Sequence, residues 1–289
     1  MKRFISIFAV SFLLGGCVAS SQPVGLNDNP AESAEQLIER YNTNAGKLDR
    51  VWSTTSTFLR WRDPDSGKMR REVGDGHFIF RQPRDLVLTV GKLGNVMLWT
   101  GGNTQKSWLF DLQEDDGIAY VGSYDQATRP FPGLPGLSGF PGAVHPDEIP
   151  GLLGMRPIDP AIAQTMWHDN DLLVDLPDRH IRLLLDGRNG LVKRVDLTDA
   201  DGYSAIICEL VGHKLVRQKD VDRSDWPVFP AEASVRVVGE EGGMVLKLAN
   251  LTSEAKKFRD RAFDFDALLK MHKPKRVIDL DTEPQTPVQ

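Results

Sequence analysis

The fold is decided by residues 78–110, which read FIFRQPRDLVLTVGKLGNVMLWTGGNTQKSWLF. Short runs rich in Val, Leu, Phe and Trp alternate there with turn sequences at 82–85, 91–95 and 101–103, which carry Pro, Gly and Asn. Pro restricts φ and Gly accepts a positive φ, so each turn sequence favours a chain reversal. Reversals about every ten residues predict a meander of antiparallel strands.

The strand pattern continues on both sides of this stretch. Similar runs occupy 51–62 and 69–80 before it, then 118–124, several runs between 172 and 251, and finally 277–280. Alternating strand and helix units are missing from this order, which argues against a parallel sheet. We expect a mainly β (α+β) fold, namely an open, strongly curved antiparallel half-barrel of about 10–11 strands with an N-terminal helix and a helical, Pro-rich insertion.

Two segments depart from the strand pattern. Apolar residues recur at three- and four-residue spacing through 30–49, which predicts a helix with Asn29 as its N-cap and Pro30 at its first position. Residues 125–160 hold eight of the 18 prolines, and each proline removes a donor from a strand ladder. Short helices are expected inside or beside this insertion at 147–153 and 161–167.

The N-terminus reads as an export signal. Lys2 and Arg3 precede an apolar run, Phe4–Leu14, that is too short to cross a bilayer as a helix. Leu14-Gly15-Gly16-Cys17 follows and is similar to the lipobox of bacterial lipoproteins. This resemblance implies a signal peptide at 1–16, lipid attachment (palmitate among the acyl chains) at Cys17, a flexible tether at 17–29, one domain at 30–280 and a polar tail at 281–289. An ordinary signal peptide with a cysteine near its cleavage site is the alternative.

The remaining composition offers no catalytic or metal-binding pattern. The six histidines show no zinc-ligand spacing, and nucleophile-elbow, phosphate-loop and dinucleotide motifs are missing. Once Cys17 is lipidated, Cys208 is alone in an apolar run, and we interpret it as a buried side chain. A formal charge of −5 argues against nucleic acid as a partner. We expect no enzyme activity and no cofactor.

The pattern as a whole resembles the bacterial lipoprotein-localisation factors, the LolA/LolB-like superfamily. The matching stretches are 37–42 (LIERYN), 78–86 (FIFRQPRDL), 93–99 (LGNVMLW) and 106–110 (KSWLF). The resemblance implies a helix followed by an incomplete barrel, covered by a helical lid, with an apolar cavity for acyl chains. It also implies a location in the cell envelope, at the outer membrane facing the periplasm, and a periplasmic carrier protein as a partner.

Aromatic side chains on successive strands are the candidates for lining such a cavity. A half-barrel with large apolar residues on its concave face leaves a lipid-sized cleft if those residues do not fill it. A fully packed core built from the same aromatics is the alternative. The candidates are Trp61, Phe78, Phe80, Trp99, Trp108 and Phe110.

A second group of apolar residues is expected to form a lid or a prong. Four of them recur every third residue in the Pro- and Gly-rich insertion, a spacing typical of a polyproline-like rod with one apolar edge. They are Phe131, Leu134, Leu137 and Phe140. In the LolB-like receptor a protruding loop carries an exposed leucine, and the resemblance makes Leu93 its counterpart here. A loop lying on the barrel rim is the alternative for the insertion.

Two functions remain from the sequence. The first is a membrane-anchored lipoprotein that binds acyl chains or lipoproteins in an apolar cavity and acts in envelope lipid or lipoprotein trafficking. The second is a structural or sensing outer-membrane lipoprotein with a packed core, protein partners and no ligand. The volume of the apolar cavity distinguishes the two. A cleft of several hundred Å³ supports the binding function, and close packing supports the structural one.

Overall fold

The computed structural model describes residues 32–63, 66–113, 117–124 and 144–282, which form three α-helices and sixteen strands. The helices are α1 Ala34–Gly46, α2 Ile149–Leu152 and α3 Phe265–His272. The strands are β1 Arg50–Arg62, β2 Met69–Arg81, β3 Asp85–Lys92, β4 Asn95–Gly102, β5 Lys106–Asp111, β6 Ile118–Ser123, β7 Gln164–His168, β8 Asp171–Leu176, β9 Ile181–Asp186, β10 Val192–Thr198, β11 Ser204–Val211, β12 Lys214–Leu215, β13 Val228–Phe229, β14 Glu232–Val237, β15 Gly243–Thr252 and β16 Arg276–Asp279.

One open sheet contains fourteen of these strands. Its order is β16-β6-β5-β4-β3-β2-β1-β15-β14-β11-β10-β9-β8-β7, so β1 lies near the middle, and β12 pairs with β13 apart from the sheet. Neighbouring strands run antiparallel except β16, which pairs parallel with β6. The expected open half-barrel is confirmed, with more strands than the ten or eleven predicted.

Helix α1 begins later than the sequence predicted. Ser33 caps it, because the Ser33 hydroxyl accepts a hydrogen bond from the Gln36 N–H while the Gln36 side chain accepts one from the Ser33 N–H. This reciprocal pair satisfies two otherwise unpaired donors at the first turn. The Tyr41 hydroxyl donates to the carbonyl of Arg156 over 2.8 Å, which ties α1 to the segment that precedes β7.

The main core lies on the face of the sheet that wraps α1, which we call the inner face. Strands β1 to β3, β8 to β11 and β15 contribute alternate side chains to it. Leu37, Ile38 and Tyr41 of α1 and Leu152 and Leu153 beside α2 are buried in the same cluster. The curved sheet therefore surrounds the helices instead of packing on a second sheet.

Of the two helices predicted at 147–153 and 161–167, the structure contains only the first, and both ranges lie in the described residues. Helical turns at Pro146–Glu148 and Ile149–Leu152 match the helix expected at 147–153. The helix expected at 161–167 is wrong, since Gln164–His168 is strand β7, paired antiparallel with β8. Pairing with the buried strand β8 outweighs a weak helical propensity. Among the described residues, no helix is both long and apolar enough to span a membrane.

Candidate functional site

Three small polar side chains line the inner face of the central strand β1. Ser53, Thr55 and Thr57 occupy alternate positions and are 0%, 3% and 0% exposed. Large apolar side chains, Val51 and Leu59, take the inner positions on either side. We call Ser53, Thr55 and Thr57 the threonine strip. It places hydroxyl groups in the middle of an otherwise apolar surface.

Two glycines bend the sheet beside the threonine strip. Gly76 pairs with Thr55 and Gly74 pairs with Thr57 on the neighbouring strand β2. A Cβ atom on Gly76 would lie 1.9 Å from the carbonyl oxygen of Thr89 on β3, a distance no side chain tolerates. Glycine at this position therefore allows β3 to approach β2 closely, which sharpens the curvature of the sheet.

The three hydroxyls of the threonine strip differ in their hydrogen bonds. The Ser53 hydroxyl is directed at the carbonyl oxygens of Thr54 (2.7 Å) and Ala249 (2.9 Å). The hydroxyls of Thr55 and Thr57 are buried and have no hydrogen-bond partner within the described parts of the chain. A buried hydroxyl without a partner costs about 1–3 kcal/mol. These two hydroxyls are therefore unsatisfied polar groups in the core of the described residues.

Apolar side chains border the strip on both sides. Leu248 and Leu246 of β15 pair with Thr55 and Thr57, and both leucines are 2% exposed. On the other side Phe78 is fully buried and stacks on Phe229, with ring centroids 6.0 Å apart. The strip with these borders is amphipathic, suited to a molecule with an apolar chain and a small polar group.

Three of the six predicted cavity residues do lie on this inner face. Phe78 and Phe80 are buried in the main core, and Trp61 is partly buried against it. Trp61 belongs to the same alternation as the threonine strip, and its indole N–H is buried with no acceptor among the described residues. Phe78 and Phe80 lie opposite Ser53 and Val51 at one end of the strip, and Trp61 lies beyond its other end.

The other three cavity candidates face away, which corrects the expectation of one shared concave face. Trp99 pairs with Phe110 on the next strand, and Trp108 lies two residues from Phe110, so all three project from the outer face. Helix α3 covers them there, with Phe265 centred 5.8 Å from Trp108 and 5.7 Å from Phe110. The alternation within each strand is as predicted, but α3 provides a second apolar layer.

Of the lid and prong candidates, only Leu93 lies in the described residues. It is 97% exposed in the two-residue turn between β3 and β4, with a positive φ of 53°. A leucine gains nothing from this conformation, which Asn or Gly adopts at lower cost. The four other candidates, Phe131, Leu134, Leu137 and Phe140, lie outside the described residues, as does Cys17.

Reactive groups on the inner side are held in inert arrangements. The His145 Nε2 lies 3.0 Å from the Ser107 hydroxyl, but His145 Nδ1 accepts the N–H of Asp147, so Nε2 carries the proton and donates it. Such an imidazole cannot act as a base on Ser107. Burial raises the pKa of Cys208 to about 12, which keeps it as a thiol. No cluster of three metal-ligating side chains occurs within the described ranges.

Sequence reasoning missed Thr55 and Thr57. The run Ser53-Thr54-Thr55-Ser56-Thr57 places Ser or Thr on both faces of β1, so hydrophobic alternation does not distinguish the inner positions from the outer ones. Only the pairing with Leu246 and Leu248 shows which hydroxyls are buried. The available signal was the lack of apolar residues in a central strand.

Comparison with known proteins finds similarity at the level of structure. No protein-family model and no curated protein matches the sequence. A LolA-superfamily protein of Nitrosomonas europaea has 11% identity and a TM-score of 0.49 over 82% of this chain and 99% of its own. A DUF1329-family protein of Desulfovibrio piger has 12% identity and a TM-score of 0.45 over 81% of this chain and 98% of its own.

A third solved structure, from Vibrio parahaemolyticus, is named a "putative outer membrane lipoprotein-sorting protein domain". It has 10% identity and a TM-score of 0.47, covering 82% of this chain and 99% of its own. The architecture that the sequence pattern predicted, a helix followed by an open and strongly curved sheet, is the one observed.

Proposed function

We propose that this chain is a lipid-anchored protein of the cell envelope that binds an acyl chain on the inner face of its half-barrel. Binding is non-covalent, and the protein serves lipid or lipoprotein trafficking at the outer membrane. Cys17 carries the anchor, and a periplasmic carrier that delivers or accepts the acyl cargo is the expected partner. The exposed Leu93 is the proposed contact with that partner.

The observation that carries this proposal is the pair of buried hydroxyls at Thr55 and Thr57. Their lack of a partner among the described residues costs stability that an isosteric valine would not cost. A carboxylate or ester group of a fatty acyl ligand supplies acceptors for these donors. Leu246, Leu248 and Phe78 then contact the hydrocarbon, at about 25 cal/mol for each Å² of apolar surface buried.

A structural lipoprotein with a packed core is the second candidate function. Phe78 and Phe80 are buried to 0% and 5% exposure, so part of the inner face is already filled by protein. In this alternative the inner face receives no ligand, and the partners are proteins. The two candidates differ in whether the threonine hydroxyls contact a ligand.

Replacing Thr57 by valine tests the proposal. The variant is made in the chain that starts at Val18, which lacks the proposed lipid attachment residue Cys17 and so carries no acyl groups of its own. We expect Thr57→Val to raise the thermal midpoint by about 2–4 °C because an unpaired buried hydroxyl is removed. Palmitate binding, measured by calorimetric titration, should weaken about tenfold because one hydrogen bond to the head group is lost.

Ser53→Ala is the matched control. The Ser53 hydroxyl already bonds to backbone carbonyls, so its loss should lower the thermal midpoint and leave palmitate affinity unchanged. A higher midpoint for Thr57→Val with no palmitate binding by any variant would support the packed-core alternative. If Thr57→Val and Ser53→Ala weaken palmitate binding equally, the hydroxyls of Thr55 and Thr57 do not bind the head group of the ligand.

A further inference from the structure

An arginine row crosses the outer face of the sheet behind the threonine strip. Arg60 of β1 lies directly opposite Arg71 of β2 and opposite Gly243 of β15. Val235 of β14 pairs with Met244 of β15. Because the two strands are antiparallel, Arg236 therefore lies opposite Gly243. We define Arg60, Arg71 and Arg236 as the arginine row. Because Gly243 has no side chain, nothing stands between Arg60 and Arg236.

The arginine row is electrostatically unfavourable for the folded protein. Like charges directly opposite on neighbouring strands destabilise a sheet, as Arg60 and Arg71 do here. None of the three guanidinium groups has a carboxylate within ion-pair distance among the described residues, whereas nearby Lys247 has Glu232 at 3.7 Å. Glu209, on the strand that pairs with the strand of Arg236, lines the same groove and lies opposite Ser234. The row therefore places three guanidinium groups against the carboxylate of Glu209, on a chain whose formal charge is −5.

Exposed apolar side chains form a second row beside the arginines. Phe58 pairs with Val73 on one side and with Val245 on the other. Phe58 is 39% exposed and Val73 is 52% exposed, and Lys247 stands over the Phe58 ring at 5.3 Å. The two rows line one groove of about 330 Å³. The groove thus presents cations along one side and hydrocarbon along the other.

We propose that this groove docks on the surface of a membrane that contains anionic phospholipids. Lipid phosphates would lie between the guanidinium groups, which bind phosphate in a bidentate manner. Phe58 and Val73 would enter the boundary between headgroups and acyl chains. Charge complementarity selects this occupant, since three unpaired arginines beside an apolar row match a phosphate above a hydrocarbon layer. Docking by the outer face would leave the inner face of the sheet turned away from the membrane.

Vesicle flotation of the chain that starts at Val18 tests this docking. Phosphatidylcholine vesicles are compared with vesicles that also contain phosphatidylglycerol. We expect binding only to the anionic vesicles, weakened by salt. Each of Arg60→Gln, Arg71→Gln and Arg236→Gln should reduce binding about fivefold, and the triple variant about hundredfold. Phe58→Ser should reduce binding without changing its dependence on salt.

The control is a triple variant with the same change in net charge. Lys214, Arg223 and Arg259 are exposed and lie outside the groove, and their replacement by Gln should leave binding within a factor of about two. The arginine-row triple variant should melt at or above the temperature of the unmodified chain, because repulsion is relieved. If this triple variant has a lower thermal midpoint, the docking is still supported provided that Arg→Lys substitutions at the same three positions restore vesicle binding.

Three results would overturn the docking. Equal loss of binding in the two triple variants would show attraction by net charge alone. Equal binding to both kinds of vesicle would exclude the phosphate contact. Displacement by soluble glycerol phosphate or inorganic phosphate would show a site for a free phosphate instead of a membrane surface. None of these outcomes concerns palmitate binding at the inner face, which is measured without vesicles.

Discussion

The buried imidazole of His145 shows how single residues couple this fold to pH. His145 is 5% exposed; its Nδ1 caps the turn at Asp147 and its Nε2 donates to Ser107. Burial lowers the pKa of His145 to about 4; Asp147 opposes this shift, while Arg156 and Arg84 add to it. The unfolded chain, with an ordinary histidine pKa near 6.5, binds the proton more readily than the folded one.

The contribution of His145 to the free energy of unfolding should therefore fall as the pH drops from about 6.5 to about 4, and level off below. His145 contributes up to about 3 kcal/mol to this loss, since each pKa unit corresponds to about 1.4 kcal/mol. Urea unfolding of His145→Gln across this range should show a smaller dependence on pH. His168→Gln, which replaces an exposed imidazole, is the matched control variant. Identical pH profiles for wild type and His145→Gln would contradict this assignment.

At the scale of elements, α3 decides what the outer face of the meander does. Asp264 caps the helix by accepting the N–H of Ala267 at 3.1 Å, and Lys273 ends it in a left-handed conformation. Phe265 packs on Trp108 and Phe110, while His272 lies 5.2 Å from Trp99. One short helix thus covers three of the six aromatics that sequence reasoning assigned to the cavity, namely Trp99, Trp108 and Phe110. Its removal would expose them to water.

Phe265→Ala should lower the free energy of unfolding by about 3–5 kcal/mol, because a buried aromatic is deleted from a small cluster. Tryptophan emission should shift to the red as Trp108 gains access to water. Met271 lies on the same helix and is 44% exposed, so Met271→Ala should cost less than about 1 kcal/mol. A red shift in both variants, or in neither, would argue against α3 as the cover of the outer face.

At the scale of the whole molecule, the proposals assign different roles to the anchor, to the inner face and to the outer face of the sheet. In our proposal, an anchor at Cys17 would hold the domain near a membrane through the tether predicted at 17–29. The threonine strip lies on the inner face, and the arginine row lies on the outer face of the same central strands. Because neighbouring residues of a strand point to opposite faces, one strand serves both surfaces. This arrangement lets membrane docking and acyl binding proceed independently.

Cys17→Ala should abolish incorporation of labelled palmitate into the protein in living cells, because the thiol that receives lipid is lost. Cys208→Ala is the matched control, since Cys208 is fully buried and its raised pKa keeps it unreactive. Incorporation in this variant should equal that of the wild type. Labelling that survives Cys17→Ala would contradict the lipobox interpretation and place the modification elsewhere.

The sequence by itself determined the local features of this protein. Turns at 82–85, 91–95 and 101–103 separate the strands that were predicted, because Pro and Gly restrict or extend φ irrespective of distant contacts. The apolar stripe of α1 was visible for the same reason, although its start was misplaced because Ser33 competes with Asn29 as a cap. The order of the elements, a helix and then two meanders separated by an insertion, also predicted an open, curved sheet.

Only the tertiary structure decided which face each side chain occupies. Alternation relates residues within one strand, but the faces of different strands are related through register and through what covers them. Strand β5 is buried on both sides, so its sequence shows no difference between Trp108 and Leu109, although they face opposite layers. The same holds for Thr55 and for the row formed by Arg60, Arg71 and Arg236, whose members lie far apart in the chain. Their proximity depends on long-range pairing, which local sequence does not encode.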